Sequence, residues 1–241
     1  MSSNYERLAK EYGRHRKAHE GAVQELVSGG RLNAESRVLE IGAGTCNYVA
    51  AVRDAVGCRC WAVEPSAAMR ELALARGLDV EVSAGKAEEL PFEAQRFDFA
   101  FCVNVIHHVE DRPALFREAF RVLDDGGTLC IATESHDMIR TRFVHATHFP
   151  ETVELDIARY SSIEELSEMA KTAGFRGWRE TRVSAEIVVE SAEVFEAKAF
   201  SSLHLISEDA FTRGIARLKA DLARGPLRAT EPVFAMLWAT K

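Results

Sequence analysis

The sequence predicts an α/β fold built on a doubly wound, mostly parallel sheet. Three observations lead there. From Arg31 to Thr133, short apolar runs alternate with stretches at helical spacing, the pattern of successive β-α-β units. One run, "RFDFAFCVNVI", reads as a strand covered on both faces. The first run ends in a glycine-rich turn, "VLEIGAGTCNYVAAV", which opens a helix.

The elements follow in order. The first thirty or so residues read as helical, with Tyr5, Leu8, Tyr12, Val23, Leu26 and Val27 near helical spacing and interruptions at Gly13 and Gly21. "GGRLNAES" is a loop, "RVLEI" a strand and "NYVAAVRDAV" a helix. "RCWAVEP" is a second strand, stopped by Pro65. "SAAMRELALARG" is a helix with Ser66 as N-cap and Gly77 past its end. "DVEVSAG" and "RFDFAFCVNVI" are the third and fourth strands. The helix "RPALFREAFRVL" follows, closed by "DDGG", and "GTLCIAT" is the fifth strand. "SHDMIRTRFVHATHFPETVELDIARY" has no clear period and three histidines. "SSIEELSEMAKTAGF" is a helix with a capping box at Ser162 and Glu165 and a stop at Gly174. "WRETRVSAEIVV" is a sixth strand, Ala192–Phe200 and Ser207–Ala223 are helical, and "PVFAMLWATK" is the last strand.

A chain of 241 residues suffices for one sizeable α/β domain. Thirty basic against 37 acidic residues give a net charge of −7, which argues against a broad nucleic-acid surface. No run approaches the roughly 18 apolar residues of a membrane span, and the polar start lacks a signal peptide's apolar region, so the expected location is the cytoplasm. Cys102 and Cys130 sit in strand-like runs as small core residues. Cys58 and Cys60 lack zinc spacing, and Cys46 completes an odd count that speaks against a disulfide framework.

The turn after the first strand is the chemical signal. Glycines let ligand atoms approach the backbone, and a helix start offers free N–H groups. Gly42 and Gly44 fill the first two positions of a dinucleotide fingerprint, but Asn47 fills the third. Glu40 lies two residues before Gly42; a carboxylate there opposes a pyrophosphate and suits an ammonium or sulfonium. Twenty residues after Gly44, Glu64 ends the second strand, where a carboxylate can accept both hydroxyls of a ribose.

The E-x-G-x-G pattern with its ribose-binding acid resembles the class I S-adenosylmethionine-dependent methyltransferases of the small-molecule type. "GKAEELPF" looks like that family's loop after the third strand, "FDFAFCVNVIHHVED" like its fourth strand and following turn, and "FREAFRVLDDGGTLCIAT" like its next helix, turn and strand. The resemblance spans about Arg31 to Thr133. It implies a Rossmann-like, seven-stranded sheet with a reversed last strand. It also implies one methyltransferase domain over 1–241: a helical cover (1–30), a cofactor-binding core (31–133) and acceptor-side segments with the final strands (134–241).

By the same resemblance, Glu40, Gly42 and Gly44 line the methionine side of S-adenosyl-L-methionine, and Glu64 holds the ribose. Pro65 and Ser66 shape the adenine edge, Ala87 and Glu88 border the adenine, and Asn104 sits under the amino-acid end. Tyr12 and Arg16 resemble the pair that many small-molecule members place over the cofactor carboxylate. Lys86 departs from the pattern: the family usually has Asp there, accepting from the adenine amino group, and lysine cannot accept. "DDGG" in place of Pro-Gly-Gly is the other departure.

Plainer readings stand beside these. Asn104 can merely end a strand, and Arg16 belongs to a basic cluster, Arg14 to Lys17, that can be a solvated helix face. His107 and His108 follow the fourth strand; His108 is a candidate base, although such a pair also packs. His148, in the long irregular segment, is the second catalytic candidate, with Arg159 and Tyr160 as further acceptor-side residues. A metal at His145 and His148 would need more ligands than are evident, and no metal is expected. Trp178, Phe195, Phe200 and Trp238 read as core. The expected reaction is methyl transfer to a small-molecule acceptor, with no nucleic-acid or membrane partner. The alternatives are an NAD-dependent dehydrogenase, opposed by Glu40 and the missing third glycine, and a non-catalytic S-adenosylmethionine-binding module. An arsenic methyltransferase would need converging thiolates, which the scattered cysteines do not offer.

Overall fold

The computed structural model describes residues 17–241. Seven strands run in chain order: β1 (Arg37–Ile41), β2 (Arg59–Glu64), β3 (Glu81–Ala84), β4 (Phe97–Val103), β5 (Leu123–Thr133), β6 (Arg176–Val189) and β7 (Leu227–Thr240). They form one sheet in the order β3-β2-β1-β4-β5-β7-β6. The pairs β1/β2, β1/β4, β2/β3 and β4/β5 are parallel, and β7 lies antiparallel to β5. The predicted seven-stranded, mostly parallel sheet with a reversed last strand is therefore the observed one.

The order turns back at β1, whose neighbours are β2 on one side and β4 on the other. A crevice opens beyond the carboxyl ends of the strands at such a switch point. The helices α1 (Glu20–Gly29), α2 (Asn47–Val56), α3 (Ala67–Ala75) and α4 (Arg112–Val122) accompany this part of the sheet. Ser66 caps α3 as predicted, accepting from the Met69 N–H at 3.4 Å. The predicted helices before residue 17 lie outside the described residues.

Contacts group the chain into two compact units where the sequence reads as one domain. The sheet unit holds 17–133, Glu164–Val183 and Ala235–Lys241; the second unit holds Glu134–Ile163 and Ser184–Phe234. In the sheet unit, Phe97, Phe99 and Phe101 on β4 are fully buried. Trp61 meets Phe97 edge-on at 5.4 Å, and Trp238 stacks on Phe99 at 6.1 Å. A Cβ at Gly29 would stand 2.5 Å from the Trp238 ring, so the end of α1 seats directly on that indole.

The "DDGG" segment is part of β5 rather than a turn before it. Phe97 pairs Leu123 but Phe99 pairs Thr128, so the extra residues bulge out of the ladder. The aperiodic segment after β5 folds as three short helices, α5 (His136–Thr141), α6 (His145–His148) and α7 (Glu151–Arg159). The first two are too short to display a helical apolar stripe, and Val144, at φ 67°, breaks the chain between them; α7 has no side-chain N-cap to announce it. Helix α8 (Ile163–Thr172) then leads to Gly174, at φ 106°.

Beyond β6 come α9 (Glu193–Glu196) and α10 (Glu208–Leu222), the latter capped by Ser207. The second unit's core gathers Val144, Phe149, Phe195, Leu203 and Leu218. Phe149 lies flat on Phe195 at 5.8 Å, and a Cβ at Gly214 would overlap the Phe149 ring, so this glycine is what lets α10 approach.

Candidate cofactor site

The turn after β1 is pinned to the end of β2. The Gly42 and Ala43 N–H groups both donate to the Val63 carbonyl, at 2.7 and 3.0 Å. Positive φ recurs along the turn, at Gly42 (72°), Gly44 (55°) and Cys46 (61°). The two glycines are needed for different reasons. A Cβ at Gly42 would come within 2.7 Å of Val105, so that position is closed by packing. A Cβ at Gly44 would meet nothing within 4 Å, so there the backbone faces open space.

Two buried carboxylates flank this opening. Glu64 is 7% exposed; it accepts from the Gly44 N–H at 2.8 Å and from the Ser66 N–H at 2.9 Å, one bond per oxygen. Each oxygen keeps a lone pair for a hydroxyl donor. Glu40 is 3% exposed and accepts from the Val49 N–H at 3.0 Å. Val49 lies in the first turn of α2, whose N-cap, Cys46, makes no side-chain cap. Glu40 therefore does the capping from the neighbouring strand. Burial pushes the Glu40 carboxyl up to about 8; the Val49 bond opposes this and the nearby Glu64 adds to it. A helix start already holding a carboxylate is a poor seat for a pyrophosphate.

Asn104 follows β4 in the left-handed region, at φ 55°. Its N–H donates to the Ala132 carbonyl at 2.9 Å, and its buried Oδ1 has no hydrogen-bond partner among the described residues. The next residue, Val105, is the one that closes on Gly42. His107 and His108 lie in a single 3-10 turn, ring centroids 4.0 Å apart, with His108 exposed. In the loop after β3, Ala87 is buried, Lys86 is exposed, and Glu88 accepts from the Glu110 N–H at 3.1 Å. Pro65 is exposed beside Glu64.

Glu40, Gly42, Gly44, Glu64, Pro65 and Asn104 thus belong to the carboxyl ends of β1, β2 and β4, and Ala87 and Glu88 to the loop after β3. Tyr12 and Arg16 lie outside the described residues. His148 belongs to the second unit, 5% exposed, with both ring nitrogens engaged: Nε2 meets Asp221 at 2.9 Å and Nδ1 meets the Thr147 hydroxyl at 2.8 Å. Arg159 donates to Asp156 at 2.6 Å, and the Tyr160 carbonyl meets the His136 ring at 2.9 Å.

Sequence reasoning missed two groups. One is Arg76, which follows α3 and donates to the Thr45 carbonyl and to the Asn47 side chain. The other is the buried ion set of Arg142 with Glu134 and Asp156 in the second unit. Burial raises the Glu134 carboxyl, with Arg142 opposing the rise. Nothing in residue spacing marks these partners. Among the described residues no group of three or more acidic, histidine or cysteine side chains could hold a metal, and no helix is long and apolar enough to cross a membrane.

Comparison with known proteins agrees with this geometry. The family model of a methyltransferase domain matches residues 39–131. An uncharacterized methyltransferase of Staphylococcus carnosus is 31% identical over 161 residues, covering 63% of this chain and 74% of that protein. Demethylmenaquinone methyltransferase of Bacillus cytotoxicus is 28% identical, covering 76% of each chain. A solved structure from Anabaena variabilis, put forward as a methyltransferase of an antibiotic biosynthesis pathway, superposes with a TM-score of 0.76 at 22% identity. It covers 91% of this chain and 96% of its own, a likeness of fold. The chain belongs to the class I S-adenosylmethionine-dependent methyltransferases, and it is an enzyme whose cofactor is S-adenosylmethionine.

The residues present fit that cofactor. Open space at Gly44, an unsatisfied buried acceptor on Asn104 and two buried carboxylates match a ligand with ribose hydroxyls and cationic groups.

Proposed function

We propose that this enzyme methylates a small-molecule acceptor, with the cofactor held at the ends of β1, β2 and β4. The observation that carries the reading is the pair of buried carboxylates on either side of the open backbone at Gly44. Bound there, S-adenosylmethionine supplies a methyl group on an electrophilic sulfonium. The protein's task is then to bind, orient and exclude water, since alignment of two reactants can provide most of the acceleration.

In this reading Glu64 accepts from both ribose hydroxyls through its remaining lone pairs. Asn104 Oδ1 accepts from the ammonium of the methionine part. Glu40, with Gly42 and Gly44, lines that part and offers it a carboxyl oxygen as hydrogen-bond acceptor. Pro65, Ala87 and Glu88 border the adenine, and Tyr12 and Arg16 cover the carboxylate. Of the two candidate histidines, His108 is the one we assign as a base, because it is exposed beside the β4 end. His148 would first have to give up its bond to Asp221. A base is needed only for acceptors that must shed a proton before or during attack.

The small-molecule acceptor is supported by the acidic net charge, −7, which suits no polyanion, and by relatives whose names carry small acceptors such as ajmaline and demethylmenaquinone. Calorimetry tests the cofactor half. S-adenosylhomocysteine should bind and NAD should not; NAD binding with no response to S-adenosylhomocysteine would defeat it. A product screen with labelled methyl donor against amines, phenols and quinones then identifies the acceptor. Labelling of RNA or protein alone would sink the small-molecule reading.

A further inference from the structure

Cys46 adopts φ 61°, ψ 37° at the start of α2, a left-handed conformation that costs a non-glycine residue free energy. Its side chain is fully buried. Its own N–H donates to the Ala43 carbonyl at 2.8 Å. On either side of it, one guanidinium takes hold. Arg76 Nη1 donates to the carbonyl of Thr45, the residue before, and to the side chain of Asn47, the residue after, the latter at 2.7 Å. Arg76 reaches the turn from the far end of α3, as that helix's C-cap. The same α3 begins beside Glu64, the carboxylate that fixes the Gly44 N–H.

We propose that Arg76 is a positioning residue: it clamps the strained Cys46 turn and so holds the backbone at Gly44 in the shape that receives the cofactor. The inference rests on the cofactor reading above. It also gives Asn47 a function at the position where a dinucleotide fingerprint has its third glycine. A glycine there would offer the arginine no side-chain acceptor. Arg76 touches no cofactor atom in this scheme. It acts by ordering Thr45–Asn47 before the ligand arrives, so that binding does not carry the ordering cost. Arg70 plays a lesser part of the same kind, donating to the Glu64 and Pro65 carbonyls at 2.8 Å each.

The test uses the whole chain and S-adenosylhomocysteine, with affinity by calorimetry and the melting temperature of the ligand-free protein read side by side. Arg76→Met should weaken binding on the order of tenfold, the scale of one or two lost hydrogen bonds. The ligand-free melting temperature should move little, because the arginine is exposed. Adding Cys46→Gly to Arg76→Met should restore most of the affinity, since glycine takes positive φ without strain. Arg76→Lys should be intermediate, and with a known acceptor the loss should appear in the cofactor KM rather than in kcat. A folded Arg76→Met protein that binds as tightly as the parent would overturn the proposal. So would a loss of affinity that Cys46→Gly fails to restore, or a loss of melting temperature with affinity intact. If the parent itself does not bind S-adenosylhomocysteine, it is the cofactor reading that falls.

Discussion

The carboxylate and amide at the strand ends of the sheet unit differ from the ion pairs of the second unit in what their polar atoms face. In the sheet unit, the polar groups at the strand ends are left with capacity to spare. Glu64 uses one lone pair per oxygen on backbone N–H groups, and Asn104 Oδ1 is buried with none used. In the second unit, the charged groups largely answer each other: Arg142 with Glu134 and Asp156, Arg159 with Asp156, His148 with Asp221. Spare hydrogen-bonding capacity under low exposure costs stability and is retained where a ligand completes it. Mutual satisfaction instead specifies a local packing. The difference is what the proposed cofactor site at the strand ends would produce, with the ion pairs serving the second unit's own packing.

One buried group in each unit, Glu40 and His145, responds to pH with opposite sign, and this gives the largest expected effect. Burial raises Glu40 from about 4.5 to about 8. The native state then holds a proton that the unfolded chain has lost. This group's contribution to stability is full below about 4.5 and is lost as pH rises towards 8. His145 is the reverse: burial, with Arg142 adding to it, pushes it down to about 3. Its contribution is full above about 6.5 and is lost as pH falls towards 3. Each pKa unit corresponds to about 1.4 kcal/mol, so each group spans a few kcal/mol. Glu40→Gln keeps an acceptor for the Val49 N–H and should flatten the decline in urea midpoint from pH 5 to 8. His145→Gln should flatten the decline from pH 6.5 to 4. Parent-like profiles in both variants would remove the contrast.

A smaller effect separates the units by ligand. Glu64→Ala should weaken S-adenosylhomocysteine binding by about 1.5–3 kcal/mol, the scale for hydrogen bonds to a charged group. His148→Ala should leave that affinity within a factor of about two and lower the melting temperature instead, because an aspartate loses its buried partner. The comparison breaks if a folded Glu64→Ala protein binds like the parent, or if His148→Ala is the variant that loses the cofactor.

The same contrast decides what was legible in the sequence. Strands β1, β2, β4 and β5 are buried runs with turn residues between them, and Glu40, Gly42, Gly44 and Glu64 sit at fixed offsets from those strands. A local pattern therefore encodes both element and site. Helices α5 and α6 are 6 and 4 residues long, too short for a period to emerge, and α7, as long as α3, lacks the serine N-cap and the glycine stop that mark α3 in the sequence. Arg142 finds Asp156 fourteen residues on, and His148 finds Asp221 seventy-three residues on. Such partners are chosen by tertiary packing. Arg76 was hidden for the same reason, 31 residues from the carbonyl it holds. The "DDGG" bulge was hidden because glycines that end a helix and glycines that interrupt a strand look alike in one dimension.

The smallest expected effect tests how much of the loop after β3 belongs to the site. Lys86 stands where the family usually has an adenine-contacting acid, yet it is exposed, while the loop's anchors are elsewhere. Glu88 ties the loop to the Glu110 N–H, and a Cβ at Gly85 would meet Pro91 at 2.9 Å, which closes the loop on itself. The loop's shape is therefore independent of the residue 86 side chain. Lys86→Asp should leave the fold unchanged and supply an acceptor that lysine cannot offer. Cofactor affinity should stay level or tighten, by no more than the worth of one exposed hydrogen bond, about 0.5–1.5 kcal/mol. Tightening would place the adenine amino group beside residue 86. An unchanged affinity would leave the adenine to Ala87 and the backbone. A large loss in a folded Lys86→Asp protein would contradict both outcomes, because the ammonium would then itself be contributing to binding, and the loop would have to be counted among the charged elements of the site.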